Sequence, residues 1–396
     1  MKRLSLFVLC LGLTAFVSEA RPMKSRVIQQ AYSPDGKDLQ KNFDWTIDAL
    51  RRCDPSLDIV VLPETASIPG KTFSHEEYMR VGPENTRLLL EACSETARRC
   101  STLVFAGAPD FSLEVPRNTI FVFDRTGNIV GKYYKQHLVR NEWKFLDKSY
   151  TEEWEQPYIL EIEGLKYAFM ICYDFYFYEN YANIARWKPD IIIGCSHQRS
   201  DTFRALDLIN AFCAYHTGAY VVRASVSMGP DSELGGCSCV AAPTGEILAT
   251  LRSEVATLDV TFDPSKKYLK PAGYGNPPAM HSEYIDLGRR PWKYRPGGSA
   301  IVPPLSEAPS NRSVVTSNDM ATLGAAVATG TQEICITLDS GADWEPFLKD
   351  VLKHFSCHVI MNIRLKGAGW DEASIARVKD LVFIYDAQGH VYYTKM

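Results

Sequence analysis

From Arg26 to about Ser299 the sequence alternates short apolar runs with amphipathic helical patterns, and this alternation restricts the possible folds more than any other feature. In Asp58-Ile59-Val60-Val61-Leu62 every residue from Ile59 on is apolar, and the run stops at Pro63, the pattern of a strand buried on both faces. Between it and a first strand at Arg26 to Gln30, residues Lys37 to Cys53 put Phe43, Ile47 and Leu50 on one helical face. The same reading predicts a helix over Asn85 to Cys100, a strand over Thr102 to Ala106, and a hairpin of Ile120 to Asp124 with Ile129 to Tyr134. Strands at Leu165 to Ile171, Asp190 to Gly194 and Ala219 to Ala224 follow. Helices at Tyr181 to Trp187 and from Phe203 to near Gly218 separate them, and a second hairpin turns at Pro243-Thr244-Gly245-Glu246. Such alternation defines a layered α/β domain, placed at residues 21–300.

The flanks differ. Met1-Lys2-Arg3, the apolar run Leu4 to Val17 and the small residues of Ser18-Glu19-Ala20 form a secretory signal over residues 1–20, so the mature chain is expected to be exported, secreted or periplasmic. That run is shorter than the ~20 apolar residues a bilayer-spanning helix needs, no later run is longer, and stable membrane insertion is not expected. Residues 301–332, rich in Pro, Ser, Ala and Thr, read as a linker with at most a short helix, and Asn311-Arg312-Ser313 is a glycosylation sequon. Residues 333–396 read as a small α+β domain: a strand Ile334 to Leu338, a helix with Trp344, Phe347, Leu348, Val351, Leu352 and Phe355 on one stripe, strands Val359 to Leu365 and Leu381 to Tyr385 with a helix between them, and a turn at Gln388-Gly389. The net charge of −4 leaves no broad basic surface, which argues against nucleic acid as a partner.

Three polar residues close or follow apolar strands: Glu64 in Leu62-Pro63-Glu64, Lys135 in Tyr133-Tyr134-Lys135, and Cys172 in Ile171-Cys172-Tyr173-Asp174. Strand ends converge on a shared cleft in α/β sheets. An acid, an amine and a thiol meeting there make a nucleophilic site: the carboxylate takes the thiol proton, sulfur attacks a carbonyl or nitrile carbon, and the ammonium holds the oxyanion. Taken singly, Cys172 would read as a buried structural thiol, and Glu64 and Lys135 as surface charges.

In this order the motifs resemble those of the carbon–nitrogen hydrolases of the nitrilase superfamily, over roughly residues 26 to 295. Val61-Leu62-Pro63-Glu64 is similar to that family's glutamate motif, Tyr134-Lys135-Gln136-His137-Leu138 to its lysine motif, and Cys172-Tyr173-Asp174 to its cysteine motif; Pro243 to Leu248 and Arg289-Arg290-Pro291 match as well. The resemblance implies a four-layer α-β-β-α sandwich and a hydrolase of the amidase type that cleaves an amide or N-carbamoyl bond through a thioester. It implies Glu64 as general base, Lys135 as oxyanion stabiliser and Cys172 as nucleophile. Glu142 is the best candidate for the family's second glutamate, ahead of Glu152 and Glu153, and the Tyr173 backbone N–H is the expected second oxyanion donor. The expected partner is a small amide-like molecule, and the expected assembly a homodimer or larger. Neither a metal nor an organic cofactor is required, and Cys237 and Cys239 have no second Cys/His pair at zinc-ligand spacing.

The departures bear on substrate. The segment after the cysteine, Phe175-Tyr176-Phe177-Tyr178, is aromatic where many members carry an arginine, and Cys195-Ser196-His197-Gln198-Arg199 replaces a tryptophan-containing loop. An aromatic pocket walled by Tyr173, Phe175 and Tyr176 and read by His197 or Arg199 is the expectation. A nitrilase acting on a C≡N group, and a catalytically silent binding protein of the same fold, are the alternatives. Of eleven cysteines, Cys10 falls in the signal and Cys172 at the site; the remaining odd number cannot all pair within one chain.

Overall fold

The computed structural model describes residues 21–288 and 314–395, apart from 73, 153–156, 272, 329–330, 332, 356–358 and 386–390. The expected signal, sequon and Gln388-Gly389 turn lie outside the described residues.

Two sheets form the large domain. In the first, the strands Val226–Ser227, Met23–Ala31, Ile59–Val61, Leu103–Asp110, Arg117–Phe123 and Ile129–Tyr134 lie side by side in that order, and Ala256–Phe262 runs antiparallel to Met23–Ala31. In the second the order is Ile247–Thr250, Cys239–Ala241, Tyr220–Ala224, Ile191–Cys195, Leu165–Ile171 and Ile159–Ile162. The middle of each sheet is parallel, with Ile59–Val61 between two parallel neighbours and Ile191–Cys195 likewise. Strands in that position are covered on both faces, which is why they read as unbroken apolar runs.

Side-chain alternation separates the layers. Ile59 and Val61, with Phe105, Ile120 and Val122, face Phe169, Ile171, Ile193 and Val222 of the other sheet. The intervening Val60 and Leu62 point the other way, onto Phe43 and Leu50 of the helix Leu39–Arg51 and Leu89, Cys93 and Ala97 of the helix His75–Cys100. On the far side Ala168, Met170, Ile192 and Val221 pack against the helices Tyr178–Ala185 and Phe203–Thr217. The result is the expected α-β-β-α sandwich, with each buried Ile, Leu, Val or Phe contributing roughly 1.5–3 kcal/mol. One helix is longer than its apolar pattern: it starts at His75, where the Ser74 hydroxyl accepts from the Glu77 N–H at 3.1 Å, and runs through Pro83. Proline in a helix interior costs a hydrogen bond, and the packed face of Tyr78, Thr86 and Leu89 outweighs it.

The C-terminal unit departs from expectation. Its strands Val314–Thr316, Glu333–Asp339, Ile360–Lys366 and Val391–Lys395 are all parallel and adjacent in chain order, joined by the helices Met320–Ala328, Trp344–Phe355 and Glu372–Tyr385. Strict alternation with parallel pairing makes this unit α/β rather than α+β. The segment 301–332 is not linker throughout, because from Val314 it supplies an edge strand and a helix that buries Leu323 in this unit's core. Leu381 to Tyr385, read as a strand from its β-branched and aromatic residues, is the end of a helix: Val378, Leu381 and Val382 recur at helical spacing and are buried together, and that packing overrides local propensity.

Candidate active site

The first sheet brings an acid and an amine together. Glu64 follows Ile59–Val61, at a point where the backbone of the neighbouring strand comes so close that a Cβ on Gly107 would lie 2.4 Å from the Pro63 carbonyl oxygen. Thr65 then turns with φ of 44°. Lys135 follows Ile129–Tyr134, its N–H donating to the Asn118 carbonyl at 2.9 Å. The Lys135 ammonium, fully buried, donates to Glu64 Oε1 at 2.7 Å and to Glu142 Oε2 at 2.8 Å. Asn118 bridges the same two carboxylates, its Nδ2 donating at 2.7 Å to Glu64 Oε1 and at 2.7 Å to Glu142 Oε1. Glu142 is tied further by the Val139 N–H at 2.8 Å.

Burial would raise every carboxyl here, so the balance of charges decides each group. Burial, the largest influence, pushes the Glu64 carboxyl up; the Lys135 charge, His197 and the hydrogen bonds from Lys135 and Cys172 together pull it down further, and the net direction is down. Glu142 goes up, from burial and from the Glu64 charge. Lys135, held between two acids, is raised despite burial and stays charged.

The second sheet supplies the thiol. Cys172 ends the strand Leu165–Ile171, takes φ of 46° and opens the short helix Cys172–Tyr176. A non-glycine residue in this region is uncommon and turns the side chain sharply off the strand end. Asp174 fixes the turn: it accepts from the Ile171 N–H at 2.8 Å and the Tyr133 hydroxyl at 2.9 Å. It also takes the His137 N–H at 2.9 Å and lies 2.8 Å from that ring's Nδ1, so one buried carboxylate ties the cysteine turn to the lysine segment. The thiol is close enough to the Glu64 carboxylate to stabilise its charge. Glu64 Oε2 is buried and accepts from no N–H or O–H among the described residues. Burial first, then the Glu64 charge, push the thiol up, while Lys135 and the His197 N–H pull it down.

Glu64, Lys135, Glu142 and Cys172 are thus brought into one cluster. Glu152 and Glu153 lie outside the described side chains. His197 sits beside them with Nδ1 3.2 Å from Thr65 Oγ1, its ring edge-on to Tyr32 at 5.2 Å; burial pulls its pKa down to about 3, so it is neutral. The Arg199 guanidinium stacks 4.2 Å over Tyr32, and Tyr173 leans on Tyr176 and Phe177. Phe175 does not line this wall. At 1% exposure it belongs to the core beneath the second sheet, because the Cys172–Tyr176 helix turns it inward beside Tyr181 while Tyr176 turns out. Sequence reasoning missed Asn118, Tyr32 and Arg223; the first and last were visible only as polar residues interrupting strand-like runs, Tyr32 as the residue after a strand. All nine described cysteines are free.

The chain matches the carbon–nitrogen hydrolase family over residues 26–267 and belongs to it. It is therefore a hydrolase. It is 25% identical over 210 residues to a protein of Pseudomonas protegens described as a hydrolase in the pqqF 5' region, covering 52% of this chain and 72% of the relative. It is 24% identical over 202 residues to the 2-oxoglutaramate amidase of Bacillus subtilis strain 168, 48% of this chain and 73% of that one. Among solved structures it is similar in fold to an amidase from Nesterenkonia sp., with a TM-score of 0.51 and 20% identity over 61% of this chain and 90% of that one. In another solved structure, of a glutamate-to-glutamine mutant of the amidase from Nesterenkonia sp. AN1, with TM-score 0.52, 19% identity and coverage of 61% and 91%, the acetamide moiety of fluoroacetamide is covalently added at the active-site cysteine. Among the described residues no helix is long and apolar enough to cross a membrane.

Proposed function

We propose that this hydrolase cleaves an amide or N-carbamoyl bond of a small molecule through a thioester on Cys172. The observation that carries the reading is the division of labour at Glu64: one oxygen is held by Lys135 and Asn118, and the other is buried, free of N–H and O–H donors, beside a thiol. Cys172 starts as the protonated thiol. Its sulfur attacks the carbonyl carbon as Glu64 takes the proton, and the developing oxyanion is met by the Lys135 ammonium and the Tyr173 N–H. Glu64 returns the proton to the departing nitrogen, which leaves as ammonia or an amine. Water, deprotonated by Glu64, attacks the thioester; the acid is released and the thiol restored. Glu142 acts on Lys135, keeping the ammonium charged and aimed.

Tyr32, Tyr173, Tyr176, His197 and Arg199 are the recognition surface. Arg199 has no carboxylate partner among the described residues, so it suits an anionic end of the substrate. The test is intact-mass spectrometry of the protein with a panel of amides, ureides and nitriles. An acyl-sized adduct on Cys172, absent from Cys172→Ala, together with released ammonia or amine is expected. Neither adduct nor product across the panel would overturn the reading in favour of a binding protein, and turnover confined to nitriles would make it a nitrilase.

A further inference from the structure

Among the described residues the largest fully buried side chain is a cation that the proposed chemistry does not use. Arg223, on the strand Tyr220–Ala224, is 0% exposed. Burying a guanidinium is costly unless it is paired, and no carboxylate among the described residues pairs with it. Its donors fork instead to three neutral acceptors: Nε to Ser196 Oγ at 3.0 Å, Nη2 to Gln198 Oε1 at 2.6 Å, and Nη1 to the Cys237 carbonyl at 3.2 Å. The fold is shaped around this group. A Cβ on Gly194 would lie 3.1 Å from Arg223 Cγ and 2.7 Å from the Phe175 ring that the guanidinium faces at 5.6 Å. The acceptor at Cys237 is delivered by three successive residues of positive φ, Gly235, Gly236 and Cys237.

Ser196 and Gln198 flank His197, and the parallel strands that lead into Cys172 and His197 are paired at Ile171 and Cys195, which brings the His197 backbone to the Cys172 side of the sheet end. The strand Ile191–Cys195 has ended by then, so only Ser196 retains a ladder-like bond, to the Ala224 carbonyl at 2.9 Å. We propose that Arg223 is a positioning residue: its buried fork clamps Ser196 and Gln198 from behind and so holds the His197 N–H against the Cys172 sulfur, where it stabilises the thiolate as the thiol gives up its proton. This rests on Cys172 being the nucleophile. A planar fork spanning three acceptors needs arginine, since lysine offers one point charge.

The experiment is the pH profile of Cys172 alkylation by iodoacetamide, read by mass spectrometry, alongside steady-state kinetics. Arg223→Met is close in volume and removes the buried charge, so the fold is expected to persist. Its alkylation midpoint should rise by about one pH unit as the sulfur loses an N–H partner. Its kcat should fall roughly tenfold with KM within about threefold of wild type. Arg223→Lys should keep the shifted profile. If Arg223→Met does not fold, Gln198→Met, which leaves Arg223 in place, should raise the midpoint in the same direction. A folded Arg223→Met with the wild-type midpoint, an Arg223→Lys that restores it, or an unshifted Gln198→Met overturns the proposal. Alkylation reports on the thiol whether or not turnover is measured; activity surviving full alkylation would sink the nucleophile reading instead.

Discussion

The large domain and the C-terminal unit both build on parallel strands covered by helices, throughout the sheet in the C-terminal unit and at the centre of each sheet in the large domain, yet they treat their strand ends in opposite ways. In the large domain the ends carry buried polar groups: Glu64, Lys135, Asp174 and Arg223 are each under 4% exposed. In the C-terminal unit the comparable residues are exposed and serve the turns, Asp319 accepting from the Thr322 N–H at 2.9 Å, Asp339 from Gly341 at 2.9 Å and Asp371 from Ser374 at 2.8 Å. Its core cluster, from Leu323 to Val382, is apolar throughout. The C-terminal unit buries a single acid among its described strand residues, Glu333 at the start of Glu333–Asp339, on the Asn362 amide, so a cluster of buried charges is not needed to make a parallel sheet. Where a chain nevertheless builds one, against its own desolvation cost, the cluster marks the place where the sheet has work other than folding.

The sharpest way to break this comparison is to remove the cation that holds the buried cluster together. Lys135→Met leaves Glu64 and Glu142 facing each other with Asn118 as their shared donor. Breaking a buried ion pair costs about 3–5 kcal/mol, and losing one oxyanion donor alone lowers kcat roughly 100- to 1,000-fold. Denaturant unfolding and kcat/KM should both show it. Adding Glu142→Gln should return part of the stability and none of the activity; a Lys135→Met protein as stable as wild type would mean the cluster is solvated, and the contrast with the C-terminal unit false.

A purely apolar lesion provides the converse. Leu352, fully buried in the C-terminal core, lies on the helix Trp344–Phe355. Leu352→Ala should cost about 2–5 kcal/mol through the cavity it leaves. Because the core cluster it belongs to includes no residue of the large domain, the expected result is a lower melting temperature for that unit with kcat/KM unchanged. A parallel loss of activity would show that the two regions work as one.

What could be read in advance follows the same division. The layers of the large domain were legible because its central strands are covered on both faces and its helices on one, so each writes its own hydrophobic period into the sequence. The acid, amine and thiol were legible because each interrupts or ends such a run. Their supports were not: Asn118 and Arg223 act by reaching partners 54 and 27 residues away, a relation no local pattern encodes. Phe175 was misplaced because an aromatic run does not say which ring a short turn folds inward. In the C-terminal unit Leu381 to Tyr385 carried a strand's composition and a helix's spacing, and burial decided for the spacing.

The mildest test separates the two regions by pH. His197, held at about 3 by burial, stays neutral in the folded protein while the unfolded imidazole takes up a proton below about 6.5. The unfolded state therefore binds the extra proton, and the large domain should lose up to about 1.4 kcal/mol per pH unit from this group as pH falls from 6.5. Glu345 in the C-terminal unit is held at about 2, first by its hydrogen bonds to Arg377 and then to Lys349. Its pH dependence has the same sign but a lower window: the contribution is complete above the ordinary value near 4.5 and fades only as pH falls from there toward 2. All three side chains are a third or more exposed or nearly so, and solvent screening keeps this contribution below about 1 kcal/mol. Between pH 6.5 and 5 the unfolding of the large domain should thus shift while that of the C-terminal unit stays fixed. His197→Asn should flatten the first, and Glu345→Gln should lower the second by less than about 1 kcal/mol at pH 7. A large-domain transition that stays as fixed across this window as that of the C-terminal unit would mean that His197 is solvated in the folded protein, and the buried polar wall of the site along with it.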